Sequence, residues 1–349
     1  MTATTARALF IDGAAQAEVR TAEVPDPGPD QLRVRVHHVG ICGSDLHYFD
    51  HGANGDFAVR EPLIPGHELS GTVDLDPTGT LAPGTPVTVH PARFGAEDSR
   101  FPEAPQLWPG GSYLGSASTW PHTQGALSEL LTVDRRMIRQ LPPSLPIRRA
   151  VLAEPLAVAL HAVEQARRAG ARLDGARVLV SGGGPVGLLV IAALRAAGCT
   201  DITGSDVLPG PRTRMREHGA RDTVDARRED PPNSAYDLVM ECSGAVAAIS
   251  SALTAVRPAG VVTQVGMLPG GTHPIALSPF IAKEVRLVGT FRFSDEIDAA
   301  VELLARRPEI GSVITHELPP DEPEALFATA RDAENSGKVI TAPWEPCSR

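Results

Sequence analysis

Two groups of residues in the sequence have types and spacings suited to chemistry. The first begins with Cys42 in the run GICGSDLHYFD, continues with Gly66-His67-Glu68 and closes with Glu154-Pro155-Leu156. One thiolate, one imidazole and one or two carboxylates make a mixed zinc site, and zinc held by few protein ligands keeps a position open for water or substrate. Singly, these residues have ordinary readings as well, a buried apolar cysteine and a solvated His-Glu pair among them. The second group is Gly182-Gly183-Gly184-Pro185-Val186-Gly187, which satisfies G-x-G-x-x-G between strand-like RVLVS and helix-like VGLLVIAALRAAG. Glycines there permit a tight turn and close backbone approach to a pyrophosphate. The pyrophosphate rests on the helix N-terminus, where unpaired N–H groups and the dipole favour negative charge. Asp206 ends the next strand-like run, ITGSD. It lies about 20 residues beyond the turn, where a carboxylate bonds both adenosine ribose hydroxyls and repels a 2′-phosphate. NAD is therefore favoured over NADP, with Arg212 near enough in sequence to soften the preference.

These residues need elements to position them. Up to about residue 150 the chain alternates short β-type runs (ALFID, AEVRTAEV, QLRVRVHHVGI, LSGTVDLD, TPVTVH, LSELLTV) with the breakers PDPGPD, LAPGTP and LPPSLP. That pattern predicts an irregular, mostly-β domain. The pattern then changes: AVLAEPLAVALHAVEQARRAGARL has helical spacing, and the strand-like runs DITGSDV, YDLVMECSG, GVVTQVGM and VRLVGT alternate with helical stretches. Such alternation implies an α/β domain with a doubly wound parallel sheet covered on both faces. Beyond about residue 287 come an amphipathic helix, DEIDAAVELLARR, and a helix and strand in EALFATARDAENSGKVI. The domains expected are 1–149, 150–286 and 287–349. One long patternless segment, roughly Ala92 to Ser118, has the length of a functional loop.

Composition narrows the function classes. With 349 residues, 42% of them hydrophobic, the chain exceeds the usual size of one domain. A formal net charge of -10 offers no attraction to phosphate backbones or anionic lipid, so no nucleic-acid or membrane partner is expected. The N-terminal run MTATTARALF lacks the apolar core of a signal peptide, and no uninterrupted apolar run reaches the roughly 18 to 20 residues of a membrane span. Four scattered cysteines make neither a disulfide framework nor a thiolate cluster, which fits a reducing cytoplasm. Only Lys283 and Lys338 among the 32 basic residues are lysine.

Several runs occur together in one order: GICGSDLHYFDHGANGDFAVREPLIPGHE, PHTQGALSE, EPLAVALHAV, the GGGPVG turn, VGTFRF and the SGKV tail. Jointly they resemble the zinc-dependent medium-chain dehydrogenases, closest to the polyol branch of sorbitol and L-idonate 5-dehydrogenases. The resemblance implies a chaperonin-10-like β catalytic domain interrupted by an inserted Rossmann domain, with residues 287–349 returning to the first. It implies that Cys42, His67 and Glu68 hold a catalytic zinc whose shell Glu154 completes directly or through water. Zinc there stabilises an alkoxide near neutral pH, and the hydride goes to nicotinamide. By the same resemblance, Ser44 contacts the substrate oxygen and His47 is the exit of a proton relay, a role that suits histidine as a residue type because its unperturbed charge change falls near physiological pH. Asp45 is expected to cap a turn. Tyr48 and Arg292 match substrate-binding positions, with Phe293 standing where relatives have a tyrosine. Val265, Gly266, Met267 and Phe291 match the nicotinamide side. His122, in HTQGA, is equally open to a substrate-facing and a structural reading. A homodimer or homotetramer is the family habit.

The pattern also breaks. Many relatives hold a second, structural zinc with four closely spaced cysteines where this chain reads HPARFGAEDSRFPEAPQLWPGGSYLGS. No structural zinc is expected, and Phe94, Phe101, Leu107, Trp108 and Tyr113 are the candidate anchors of that lobe. Pro211 occupies a place where relatives often have an arginine near the ribose, and Arg212 is its candidate replacement. Cys199, Cys242 and Cys347 read as ordinary thiols. The expected activity is zinc-dependent, NAD-linked oxidation of a secondary alcohol of a polyol or sugar acid to a ketone. The alternatives are a cyclitol or aminocyclitol substrate and a non-catalytic nucleotide-binding protein. The intact set of Cys42, Ser44, His47, His67 and Glu68 argues against the second.

Overall fold

In the strand Gln31–Gly40 the alternation QLRVRVHHVG turns Leu32, Val34 and Val36 to one face and Arg33 and Arg35 to the other. The buried face decides the register. Each fully buried Leu or Val contributes about 2 kcal/mol, whereas the bonds from Arg33 and Arg35 to Asp74 on the solvent side are worth at most about 1 kcal/mol each. A one-residue slip would invert the faces.

The computed structural model describes residues 4–341 and Trp344, and the chain divides into two units. Cys347 lies outside the described residues. The first unit holds, among the described residues, 4–154, 297–332, 338–341 and Trp344; the second holds Pro155–Glu296 and Ala333–Gly337. The second unit thus runs on past residue 286, because Arg286–Gly289 is the sixth strand of its sheet, paired with Val261–Gln264. Residues 333–337 join it because backbone carbonyls of Ala333 and Glu334 accept bonds from Arg214.

The first unit is built on a seven-stranded sheet. Gln31–Gly40 is central, antiparallel to Glu68–Leu75 on one side, with Leu130–Asp134 and Lys338–Thr341 pairing to its two halves on the other. A hairpin of Thr4–Gly13 and Gln16–Val24 contributes Leu9 and Ile11 to the same core as Leu63, Leu69, Val87, Val89, Leu127 and Phe327.

The cysteine-free lobe is short of regular structure: Ala92–Arg93 pairs with Ser112–Tyr113. Phe94 stands edge-on between His90 and Trp108, whose indole N–H donates to the carbonyl of Phe101. Leu107 was expected to anchor the lobe and does not, being 52% exposed. Tyr113 is buried.

The second unit carries a six-stranded, all-parallel sheet in the order 3-2-1-4-5-6 by chain position, the doubly wound arrangement expected from the alternation. Its first strand, Arg177–Ser181, feeds the glycine turn and the helix Pro185–Ala196. Leu188, Leu189, Val190, Ile191 and Leu194 are all fully buried, and exposure is confined to Arg195 and Ala196 at the helix's end, with Pro185, Val186 and Ala192 half-buried. Among the described residues no helix is long and apolar enough to cross a membrane.

Candidate functional site

The strand pairing that sets the first unit's core also assembles its polar centre. Gly40, the last residue of its strand, registers opposite Glu68, the first of the next. Cys42 follows two residues later as the N-cap of the helix Gly43–His51, and His67 immediately precedes Glu68. One donor atom from each of Cys42, His67 and Glu68 lies within 4.8 Å of the others. His67 and Glu68 are buried, and Cys42 is half-buried.

Asp45 does more than cap a turn. Its fully buried carboxylate accepts the N–H of Cys42 at 2.9 Å and that of Gly66 at 3.1 Å, so one side chain ties together the two segments that bear the donors. Burial pushes the Asp45 carboxyl up, against the pull of His67.

Glu68 is held from behind. Its Oε1 accepts a 2.6 Å bond from the buried ammonium of Lys338, which also donates to the carbonyl of Ile41 at 3.0 Å. Its Oε2 is buried without a hydrogen-bond partner and lies 2.0 Å from where a Cβ on residue 40 would be. Gly40 is a glycine because that carboxylate occupies the side-chain space.

These residues fit a divalent cation such as zinc. A soft sulfur, an imidazole and an orphaned carboxylate oxygen form a donor set of the right chemistry. Burial works against a charged His67, yet the negative charge of Cys42, with Asp45 and Glu154 behind it, pushes the imidazole up to about 10.

Glu154 stands outside the trio. It lies in the first turn of the helix Ala153–Arg168, is buried, and accepts a 2.5 Å bond from the hydroxyl of Tyr113. Burial pushes its carboxyl up. Ser44 is half-buried on the Gly43–His51 helix, and His47 is exposed there, stacked on His51 at 5.9 Å.

Two expected substrate contacts have their polar atoms engaged within the chain. The Tyr48 hydroxyl, buried with its ring, accepts the N–H of Ala117 at 3.0 Å and lies 3.4 Å from Ser116 Oγ. His122 Nδ1 donates to the carbonyl of Thr119 at 2.9 Å, and its Nε2 accepts the N–H of Arg60 at 2.9 Å. A carbonyl only accepts and an amide only donates, so the ring is the neutral Nδ1–H tautomer with both nitrogens in use.

In the second unit the glycine turn is packed as its sequence suggested. A Cβ on Gly187 would come within 1.9 Å of the carbonyl oxygen of Gly182, so only glycine lets the helix approach the strand this closely. Gly184 is the N-cap and Pro185 opens the helix, leaving its amides at the turn. Asp206 accepts the N–H of Gly183 at 2.7 Å and of Leu208 at 2.9 Å, which braces the turn from the neighbouring strand. Arg212 is bonded to the Asp206 carbonyl and the Asp225 carboxylate, each at 2.9 Å. The backbones of Val265 and Gly266 both donate to the Glu241 carbonyl at 2.8 Å, Met267 is 74% exposed, and Phe291 lies under the Arg292 guanidinium at 4.8 Å.

Three contributions escaped the sequence reading: the Lys338 ammonium, the second bond of Asp45, and the hydroxyl of Tyr113. A lysine inside the apolar run KVIT of a chain almost devoid of lysine was a usable signal. The other two had none.

Residues 28–143 match the alcohol dehydrogenase GroES-like domain, and residues 185–306 match the zinc-binding dehydrogenase domain. Sorbitol dehydrogenase of Gallus gallus is 32% identical over 345 residues, 94% of each chain. L-Idonate 5-dehydrogenase (NAD(P)(+)) of Escherichia coli is 32% identical over 278 residues, 78% of this chain and 80% of that protein. The crystal structure of the L-idonate 5-dehydrogenase from Escherichia coli superposes with a TM-score of 0.89 at 28% identity, covering 97% of this chain and 98% of that one. That of 2R,3R-butanediol dehydrogenase from Bacillus subtilis gives 0.84 at 26% identity, covering 98% and 100%.

Proposed function

Since the chain belongs to the zinc-binding alcohol dehydrogenases with a GroES-like domain and is an oxidoreductase related to polyol dehydrogenases, we propose that it oxidises a secondary alcohol of a polyol or sugar acid to a ketone with one zinc and NAD. The observation that carries this reading is the close approach of Cys42, His67 and Glu68 donor atoms in a buried pocket. When bound, zinc supplies the Lewis acidity that lets a hydroxyl lose its proton near neutral pH, and the nicotinamide accepts the hydride.

The chain's own residues do the rest. Cys42, His67 and Glu68 hold the ion, with Lys338 orienting the carboxylate of Glu68 and Asp45 aligning the backbones of Cys42 and Gly66. The Ser44 hydroxyl contacts the substrate oxygen and gives up its own proton as it takes up the substrate's, and the exposed ring of His47 is the end of that relay, releasing a proton to water. Gly182, Gly184, Pro185, Val186 and Gly187 offer backbone and helix terminus to the pyrophosphate. The Asp206 carboxylate takes the ribose hydroxyls and disfavours a 2′-phosphate. Arg212, bonded to the Asp206 carbonyl and the Asp225 carboxylate, is the cation on the ribose side of the site. Val265, Gly266, Met267 and Phe291 flank the nicotinamide, and Arg292 is the substrate-facing cation.

The test is metal content followed by NADH absorbance across a panel of polyols, aldonates and cyclitols. Stoichiometric zinc and a chelator-sensitive rate on a polyol or aldonate are expected. Protein without stoichiometric metal, or a rate indifferent to chelation, would overturn the reading.

A further inference from the structure

The lobe that lacks cysteines supplies a residue to the metal pocket instead. The short strand Ser112–Tyr113, paired with Ala92–Arg93, carries a buried phenol. Its hydroxyl donates to Glu154 Oε1 at 2.5 Å, and its ring meets the His67 imidazole edge-on, with centroids 5.4 Å apart and planes at 62°. Packing alone would be served by phenylalanine. The hydroxyl instead makes a short charge-assisted bond, among the strongest a neutral side chain can offer a carboxylate.

Glu68 and Glu154 each have one oxygen taken by a buried donor, Lys338 on Glu68 and Tyr113 on Glu154. Only Glu68 lies in the trio. A free carboxylate beside zinc is itself a good ligand, so something must keep Glu154 from becoming a fourth. Its partner in this structure is Tyr113.

We propose that Tyr113 is a positioning residue of the metal centre: its hydroxyl holds the Glu154 carboxylate out of the ligand set, so that Cys42, His67 and Glu68 alone bind zinc and a coordination position stays available to substrate. This rests on the zinc reading above. The lobe then has a function in this chain other than holding a second metal, and the phenol makes the first site selective for three protein ligands.

Tyr113→Phe keeps the ring that meets His67 and removes the hydroxyl bonded to Glu154. With the carboxylate released, zinc should bind about tenfold tighter in competition with a chromophoric chelator, the range over which partners of metal ligands act. The visible spectrum of the cobalt-substituted protein should weaken as a ligand is added. The rate at saturating substrate should fall while NAD affinity holds. On a Glu154→Gln background, the same substitution should leave the zinc affinity and the cobalt spectrum unmoved. Cobalt spectra and zinc affinity identical in the parent and Tyr113→Phe would overturn the proposal, as would an equal change with and without Glu154. A parent protein that takes up neither zinc nor cobalt would instead overturn the zinc reading, so the two failures are told apart.

Discussion

The metal pocket and the glycine turn are built in opposite ways. The turn is one contiguous run, Ser181 to Gly187, braced mainly by a neighbouring strand through Asp206. The metal pocket gathers Cys42, His67 and Glu68 from two strand ends, then fixes them with Asp45, Lys338 and Tyr113. The reason is electrostatic. A nucleotide's charge meets backbone amides that every helix N-terminus already provides, whereas buried anionic ligands need individual donors, because an unpaired buried charge is costly. Contiguity suffices for the first site and cannot serve the second.

If that contrast is right, damage should stay within each site. The largest effect is expected from Cys42→Ala, which removes a proposed zinc ligand: losing about 4 kcal/mol of transition-state stabilisation slows NADH production about 1,000-fold. NAD affinity by fluorescence titration should be unchanged. A variant that lost both would break the comparison.

Asp45→Ala comes next. Two buried N–H groups lose their acceptor, costing about 3 kcal/mol in denaturant unfolding, and the zinc stoichiometry of the folded protein should fall. Loss of stability with zinc binding intact would mean that Asp45 is merely a cap.

Gly187→Ala tests the other site. The added methyl meets the Gly182 carbonyl, so about 2 kcal/mol of stability and about tenfold in NAD affinity should go while zinc content stays at one equivalent. The smallest effect is expected from Asp206→Ser. Removing the carboxylate that opposes a 2′-phosphate should narrow the preference for NAD over NADP by about tenfold, measured as kcat/KM with each cofactor. An unchanged preference would shift the discrimination to another residue.

The same contrast explains what was legible. The parallel sheet followed from alternating strand and helix patterns, and the glycine turn from its spacing, because both are local periodicities. Cys42, His67, Glu68 and Glu154 were visible as residue types and the motif order made them a set, but that Glu154 stands outside the trio was not. The role of Leu107 was misread, because an apolar side chain in an irregular lobe has no periodicity to say which way it faces. Tyr48 and His122 were visible as residues near chemistry, but not their bonds to Ala117, Thr119 and Arg60. The second unit's extension beyond residue 286 depended on which strand Arg286–Gly289 would join.

The sequence by itself determined the two kinds of site, the alternation behind five of the six parallel strands, all but Asp222–Asp225, and the absence of the lobe cysteines. Tertiary structure alone decided which donors would be braced and by what. Lys338 is 270 residues from Glu68, and Tyr113 is 41 from Glu154. Separations of that length are closed by strand pairing and core burial, which act on whole faces. No local pattern encodes which single ammonium or phenol will arrive beside a given carboxylate.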